Sequence, residues 1–178
     1  MRLFAAVKIP EKIREGLWEN FSSRIPAGAF KRVEKENLHI TISFIGEADE
    51  AKALEIAAKM REINFAEFGV KISGAGSFGN RVLWLAISEG KKGLERLASE
   101  FAEKTGISGE KFHAHITIAR NRGGGGEFSA VAEKLGKVKR EFEFTAKSVS
   151  LFSSTLTSKG PAYEEVSERT FSSSDSGS

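Results

Sequence analysis

The sequence predicts an α+β fold of two similar lobes with mostly antiparallel sheets, and three observations lead there. Helical and strand-like stretches are interspersed along the chain. The dipeptide Gly79-Asn80, between "FGVKISGAGSFG" and "RVLWLAIS", is a hairpin signal, which a doubly wound parallel sheet would not carry. The tetrapeptide His-Ile-Thr-Ile stands at 39–42 and again at 115–118, in corresponding places of the two halves.

The elements follow in order. "RLFAAVKI" (2–9) reads as a buried strand stopped by Pro10, which suits the first turn of a helix carrying Ile13, Leu17 and Phe21 on one face. "FKRV" and "LHITISFIG" read as strands, the second ending at Gly46. Ala, Glu, Lys and Leu from 48 to 63 predict a helix. After the hairpin, residues 91–104 place Leu94, Leu97, Ala98, Phe101 and Ala102 on one helical face, with Gly106 as C-cap. A strand over 112–120, the flexible loop "NRGGGGEFS", a short helix near 129–136 and strands at 141–152 and 162–168 complete the pattern. One bilobal domain over 1–171 is expected, followed by a disordered tail at 172–178, "SSSDSGS".

Composition excludes several kinds of chemistry. The 178 residues include no cysteine, so disulfides, zinc ribbons and thiol catalysis are ruled out. All 24 carboxylates except Asp49 and Asp175 are Glu, so no Asp cluster exists of the kind magnesium and manganese phosphate-transfer sites recruit. No stretch approaches the roughly 18 apolar residues of a membrane span. The apolar "MRLFAAVKIP" is too short for a signal-peptide core, so a soluble cytoplasmic protein is expected. The net charge of +3 is compatible with a polyanionic partner without demanding one.

The repeat carries the functional argument. Side chains alternate along a strand, so His39 and Thr41 share one face while Ile40 and Ile42 anchor the other. His115 and Thr117 stand likewise against Ile116 and Ile118. One such strand is ordinary. With 13 Ile and 7 Thr in the chain, however, a given His is followed by Ile-Thr-Ile with a probability of roughly two in ten thousand. Two imidazoles near their ordinary pKa can act as a base and an acid, which suits displacement at phosphorus, with threonine hydroxyls holding the non-bridging oxygens. Metal ligation would need more ligands than two histidines and two threonines supply. "RNRGGGGE" lacks the Lys-Ser/Thr of a phosphate-binding P-loop and reads as a loop at the cleft rim. Tyr163, Phe112 and Phe44 are candidates to stack on bases, although core packing is the expectation for each.

The blocks "MRLFAAVKIP", "ENLHITISFIG", "RVLWLAI", "FHAHITIAR" and "SVSLFSSTLTSKGPAY" resemble, in order and over residues 1–168, the two-histidine (2H) phosphoesterases, in particular the RNA 2′,3′-cyclic phosphodiesterase or 2′-5′ RNA ligase group. The resemblance implies a bilobal fold with outer helices around a central cleft. It implies hydrolysis of RNA 2′,3′-cyclic phosphates to 2′-phosphates, with His39 as proton donor, His115 as proton acceptor, and Thr41 and Thr117 on the phosphate. Arg120 follows the second motif as a basic residue does in the group and would reach phosphate or a flanking nucleotide. No metal or other cofactor is implied, and GTP or ATP binding is left open. RNA ends, tRNA fragments among them, would be the partners of a monomer. Reversible 2′-5′ ligation, a small cyclic nucleotide as substrate, and a non-catalytic RNA-end-binding module are the alternatives. The group has Pro before the second histidine and a basic residue before that, where this chain has Ala114 and His113. Alternation puts His113 on the face of His115, so it either extends the phosphate surface or is a partly exposed edge residue.

Overall fold

The computed structural model describes residues 1–173. The chain opens with β1 (Arg2–Lys8), whose middle five residues are buried, and Pro10 then caps α1 (Glu11–Asn20). A three-residue strand, β2 (Phe30–Arg32), and a 3₁₀ turn at Lys35–Asn37 lead into β3 (His39–Glu47). The carboxylate of Asp49 accepts the Lys52 N–H at 2.8 Å and so starts α2 (Glu50–Met60), which is shorter at both ends than the composition of 48–63 predicted. The hairpin of β4 (Phe68–Phe78) and β5 (Val82–Glu89) turns at Gly79-Asn80, as read from the dipeptide. Then come α3 (Lys91–Thr105), β6 (His115–Asn121), α4 (Phe128–Gly136), β7 (Phe142–Ala146), β8 (Ser148–Thr157) and β9 (Gly160–Thr170). Gly106 closes α3 with φ 73°, donating its N–H to the Ala102 carbonyl at 2.9 Å, a left-handed conformation that favours glycine.

Two antiparallel sheets result, one of four strands in the order β3-β1-β8-β9 and one of five in the order β2-β6-β5-β4-β7. Helices α2 and α3 pack against each other and on the first sheet, while α1 and α4 pack on the second. The isoleucines of both repeats are buried, Ile40, Ile42, Ile116 and Ile118 all falling at 4% exposure or less. Burying those four apolar side chains fixes which face of β3 and β6 is left for the histidines. Among the described residues, no helix is long and apolar enough to cross a membrane.

Three expectations change here. The two lobes are not the two halves of the chain. β1 and β3 belong to the four-stranded sheet, β2 and β4 to β7 to the other, and β8 and β9 return to the first. The stretch 141–152 is two strands. Phe142 and Ala146 bury in one lobe and Val149 and Leu151 in the other, so the chain breaks at Lys147, whose carbonyl accepts the Phe171 N–H at 2.8 Å. The tail does not begin at 172, because Ser172 forms a parallel bridge with Ala66, donating its N–H to Phe65 at 3.0 Å and accepting from Glu67 at 2.9 Å. Residues 174–178 lie outside the described residues.

Candidate active site

The polar faces of β3 and β6 look into one cleft of about 740 Å³, lined by His39, Thr41, His115, Thr117, Arg120 and Tyr163 among others. The four motif residues predicted from alternation are thus brought together. Both strands make the same detour after the threonine. In β3, Ala6 pairs with Thr41 and Ala5 with Ser43, leaving Ile42 as an extra residue; in β6, Trp84 pairs with Thr117 and Leu83 with Ala119, leaving Ile118 extra. A bulge shifts the alternation by one residue. Ile118 and Ala119 can therefore both be buried, and Arg120 emerges beside His115 and Thr117 instead of on the core face. The matching position in β3, three residues past its threonine, holds Phe44, which lines the same cleft and is 66% exposed.

Each histidine is oriented in the same way. His39 Nδ1 donates to the Asn37 carbonyl and His115 Nδ1 to the His113 carbonyl, both at 2.7 Å. A carbonyl can only accept, so both rings carry the proton on Nδ1 and keep the Nε2 lone pair available to the cleft. Beyond this the two sites differ. His39 Nε2 already accepts a hydrogen bond from Thr41 Oγ1 at 2.8 Å. Its ring packs against Phe4 and Tyr163, with centroids at 5.0 and 5.6 Å. Burial, reinforced by the nearby charges of Arg120 and His115 and opposed by the Asn37 hydrogen bond, pushes its pKa down to about 4. His115 is also lowered, first by burial and then by His113 and Arg120. Both imidazoles are accordingly neutral near pH 7. Burial raises the Tyr163 phenol, against the pull of Arg120.

The remaining candidates divide. Tyr163 sits edge-on to Phe4 at 4.9 Å and beside His39, as a wall of the cleft. Phe112 packs on the core as expected, whereas the packing expectation for Phe44 fails. His113 precedes β6 and does not line the cleft. Its exposed ring rests edge-on against Phe78, Trp84 and His115 at 5.1, 5.4 and 5.4 Å, and its carbonyl orients the His115 ring. The Trp84 indole lies where a side chain on Gly76 would stand, so that glycine is what lets the ring lie across β4. The glycine-rich loop folds onto itself through Asn121, which accepts the Gly123 N–H at 2.7 Å and donates to the Asn80 carbonyl at 2.6 Å; none of residues 121–127 lines the cleft.

Two contributors escaped the sequence reading. Phe4 was read only as part of a buried strand; the pairing that sets it beside Phe44 and Phe152 depends on which strands become neighbours, and the continuous apolar run of β1 carries no signal of it. Asn37 is buried, its carbonyl orients His39, and its Nδ2 donates to the Pro161 carbonyl of β9 at 2.9 Å. The "NLH" spelling hints at nothing of the kind, because the contact spans 124 residues.

A bilobal α+β fold that presents paired His-x-Thr-x strands to one cleft defines a two-histidine phosphoesterase architecture. The chain belongs to the 2′-5′ RNA ligase superfamily, whose family model matches residues 9–157. It is 34% identical to an RNA 2′,3′-cyclic phosphodiesterase of Archaeoglobus fulgidus, over 93% of this chain and 98% of that one. It is 36% identical to one of Methanocaldococcus jannaschii, over 94% and 99%. The crystal structure of Escherichia coli LigT in its apo form superposes with a TM-score of 0.78 at 23% identity, covering 96% of this chain and 97% of that one, and so matches in fold.

Proposed function

We propose that this protein hydrolyses RNA 2′,3′-cyclic phosphodiester ends to 2′-phosphomonoesters by paired histidine acid–base catalysis without a metal ion. The observation that carries the reading is the pair of Nδ1-protonated imidazoles aimed at one cleft, each beside a threonine hydroxyl. His115 Nε2, which has no hydrogen-bond partner among the described residues, takes a proton from water as the water oxygen bonds to phosphorus. The bond from phosphorus to O3′ breaks on the opposite side, and His39 gives a proton to O3′, leaving the phosphate on O2′. Thr117, Thr41 and Arg120 hold the non-bridging oxygens as charge shifts among them. The names of the relatives agree with this substrate. Among the described residues, no group of three or more His, Asp or Glu is placed to hold a metal ion.

A pKa of about 4 would leave His39 a poor proton carrier at neutral pH. The anionic phosphate resolves this, because a negative charge between two imidazoles and Arg120 raises the proton affinity of both rings. Substrate thus creates the acid form it needs. Exposed Phe44 and Leu156 on the cleft wall suit an unpaired base.

The test is to incubate the protein with RNA ending in a 2′,3′-cyclic phosphate, with and without EDTA, and to identify the product. A terminal 2′-phosphate with a free 3′-hydroxyl, formed equally in EDTA, is expected. A 3′-phosphate product would reverse the proton roles, and activity lost to EDTA and restored by zinc or manganese would overturn the metal-free mechanism.

A further inference from the structure

The cleft has more positive charge than a single cyclic phosphate requires, and its arrangement is informative. Arg2 pairs with Glu47 at 3.5 Å, and Arg32 turns its guanidinium to the Ile25 carbonyl at 2.5 Å. Lys159, between β8 and β9, lines the cavity from outside both strands and has no carboxylate within 4.0 Å among the described residues. The other two cations are strand partners. Arg120 of β6 and Lys31 of β2 are direct cross-strand partners in the five-stranded sheet, so they share the cleft face, and both line the cavity. Neither has a carboxylate within 4.0 Å among the described residues. Like charges directly opposite on a sheet repel and weaken the pairing, and β2 is only a three-residue edge strand with little to offset that cost. An anion between or beside them removes the penalty.

Position assigns the two cations different tasks. Arg120 is close enough to both histidines to depress their pKa values, and Lys31 contributes to neither. Thr117 and Arg120 lie along β6 and Lys31 stands across from Arg120 on the edge strand β2, so the three lead from the reacting centre to the sheet edge. The first two serve the reacting phosphate and the third lies one strand further out. Resting on the function proposed above, we infer that Lys31 is a second phosphate subsite, which takes the internal phosphodiester next to the cyclic end. An oligonucleotide of at least two nucleotides fills this subsite, and a cyclic mononucleotide leaves it unfilled.

The experiment compares kcat/KM at low salt for a nucleoside 2′,3′-cyclic phosphate and for a dinucleotide carrying one internal phosphodiester before the same cyclic end. Wild type should prefer the dinucleotide by about five- to tenfold, the worth of one solvent-accessible charge-assisted contact. Lys31→Ala should bring the ratio close to one, Lys31→Arg should keep most of it, and Lys92→Ala, on α3, should leave it at the wild-type value. Because each ratio comes from one preparation, partial misfolding cancels. A wild-type ratio near one, or equal losses on both substrates in Lys31→Ala, would overturn the subsite while leaving the phosphodiesterase reading in place. Turnover of neither substrate would sink that reading and the subsite with it.

Discussion

The half-sites around His39 and His115 share four residues of sequence and differ in almost everything that surrounds them. The His39 ring is held at both nitrogens, between the Asn37 carbonyl and the Thr41 hydroxyl, and Asn37 is itself fastened to β9. Among the described residues, the His115 ring is held at Nδ1 alone, against an edge-on wall of Phe78, Trp84 and His113. Local geometry is therefore repeated, while proton affinity is not. The comparison teaches that a motif can set a tautomer through a contact two residues away, but the number of polar partners left free depends on the lobe it lands in. On the proposed mechanism, an Nε2 and a Thr117 hydroxyl without partners among the described residues suit a base that meets water. The enclosed His39 suits an acid that gains its proton only when phosphate arrives.

The largest effect expected from breaking this pair comes from removing either ring. His39→Ala and His115→Ala should each lower kcat on cyclic-phosphate RNA by about 10³-fold or more, measured on protein whose melting curve matches wild type. Undiminished turnover in either would end the paired mechanism. Next come the threonines. Among the described residues the Thr117 hydroxyl has no hydrogen-bond partner, whereas Thr41 must leave His39 to reach phosphate. Thr117→Val should therefore cost about 10²-fold in kcat/KM and Thr41→Val about tenfold, values in the range for transition-state hydrogen-bond donors. Equal losses, or a larger loss for Thr41, would erase the proposed asymmetry.

A smaller and thermodynamic difference should appear in pH-dependent melting. With a folded pKa near 4 against an ordinary 6.5, His39 stays neutral in the fold while the unfolded chain takes up a proton. The unfolded state binds more protons in that window, so this contribution is intact above pH 6.5 and is lost as pH falls towards 4. From pH 7 to pH 5 the loss amounts to about 2 kcal/mol. Denaturant melts at those two pH values should show a flatter dependence in His39→Asn than in His115→Asn, whose ring is lowered in the same direction but is less enclosed. The reverse order would show that His115 is the more desolvated ring.

The sequence was legible wherever a local rule decides. The hairpin at Gly79-Asn80, the glycine end of α3 and the faces of the two His-Ile-Thr-Ile strands all followed from backbone preference and alternation. It was misleading wherever burial overrides a run of similar residues. Nothing in "REFEFTAKSVSLF" announces the change of lobe at Lys147, because both halves are equally strand-like. His113 seemed to share the face of His115, yet the strand starts at His115 and the His113 carbonyl does the work.

By itself, then, the sequence determined the two half-sites: which residues alternate outward, which isoleucines anchor them, and that imidazole and hydroxyl would stand side by side. Those facts depend on period-two geometry, which spans only a few residues. The tertiary structure alone decided three further matters. The bulges at Ile42 and Ile118 bring Phe44 and Arg120 onto the cleft face, and strand pairing sets Lys31 opposite Arg120. The Asn37–Pro161 contact ties the orienting carbonyl to a strand far along the chain. Each depends on which strands become neighbours, a choice made by burial of the whole core and by no short stretch of sequence.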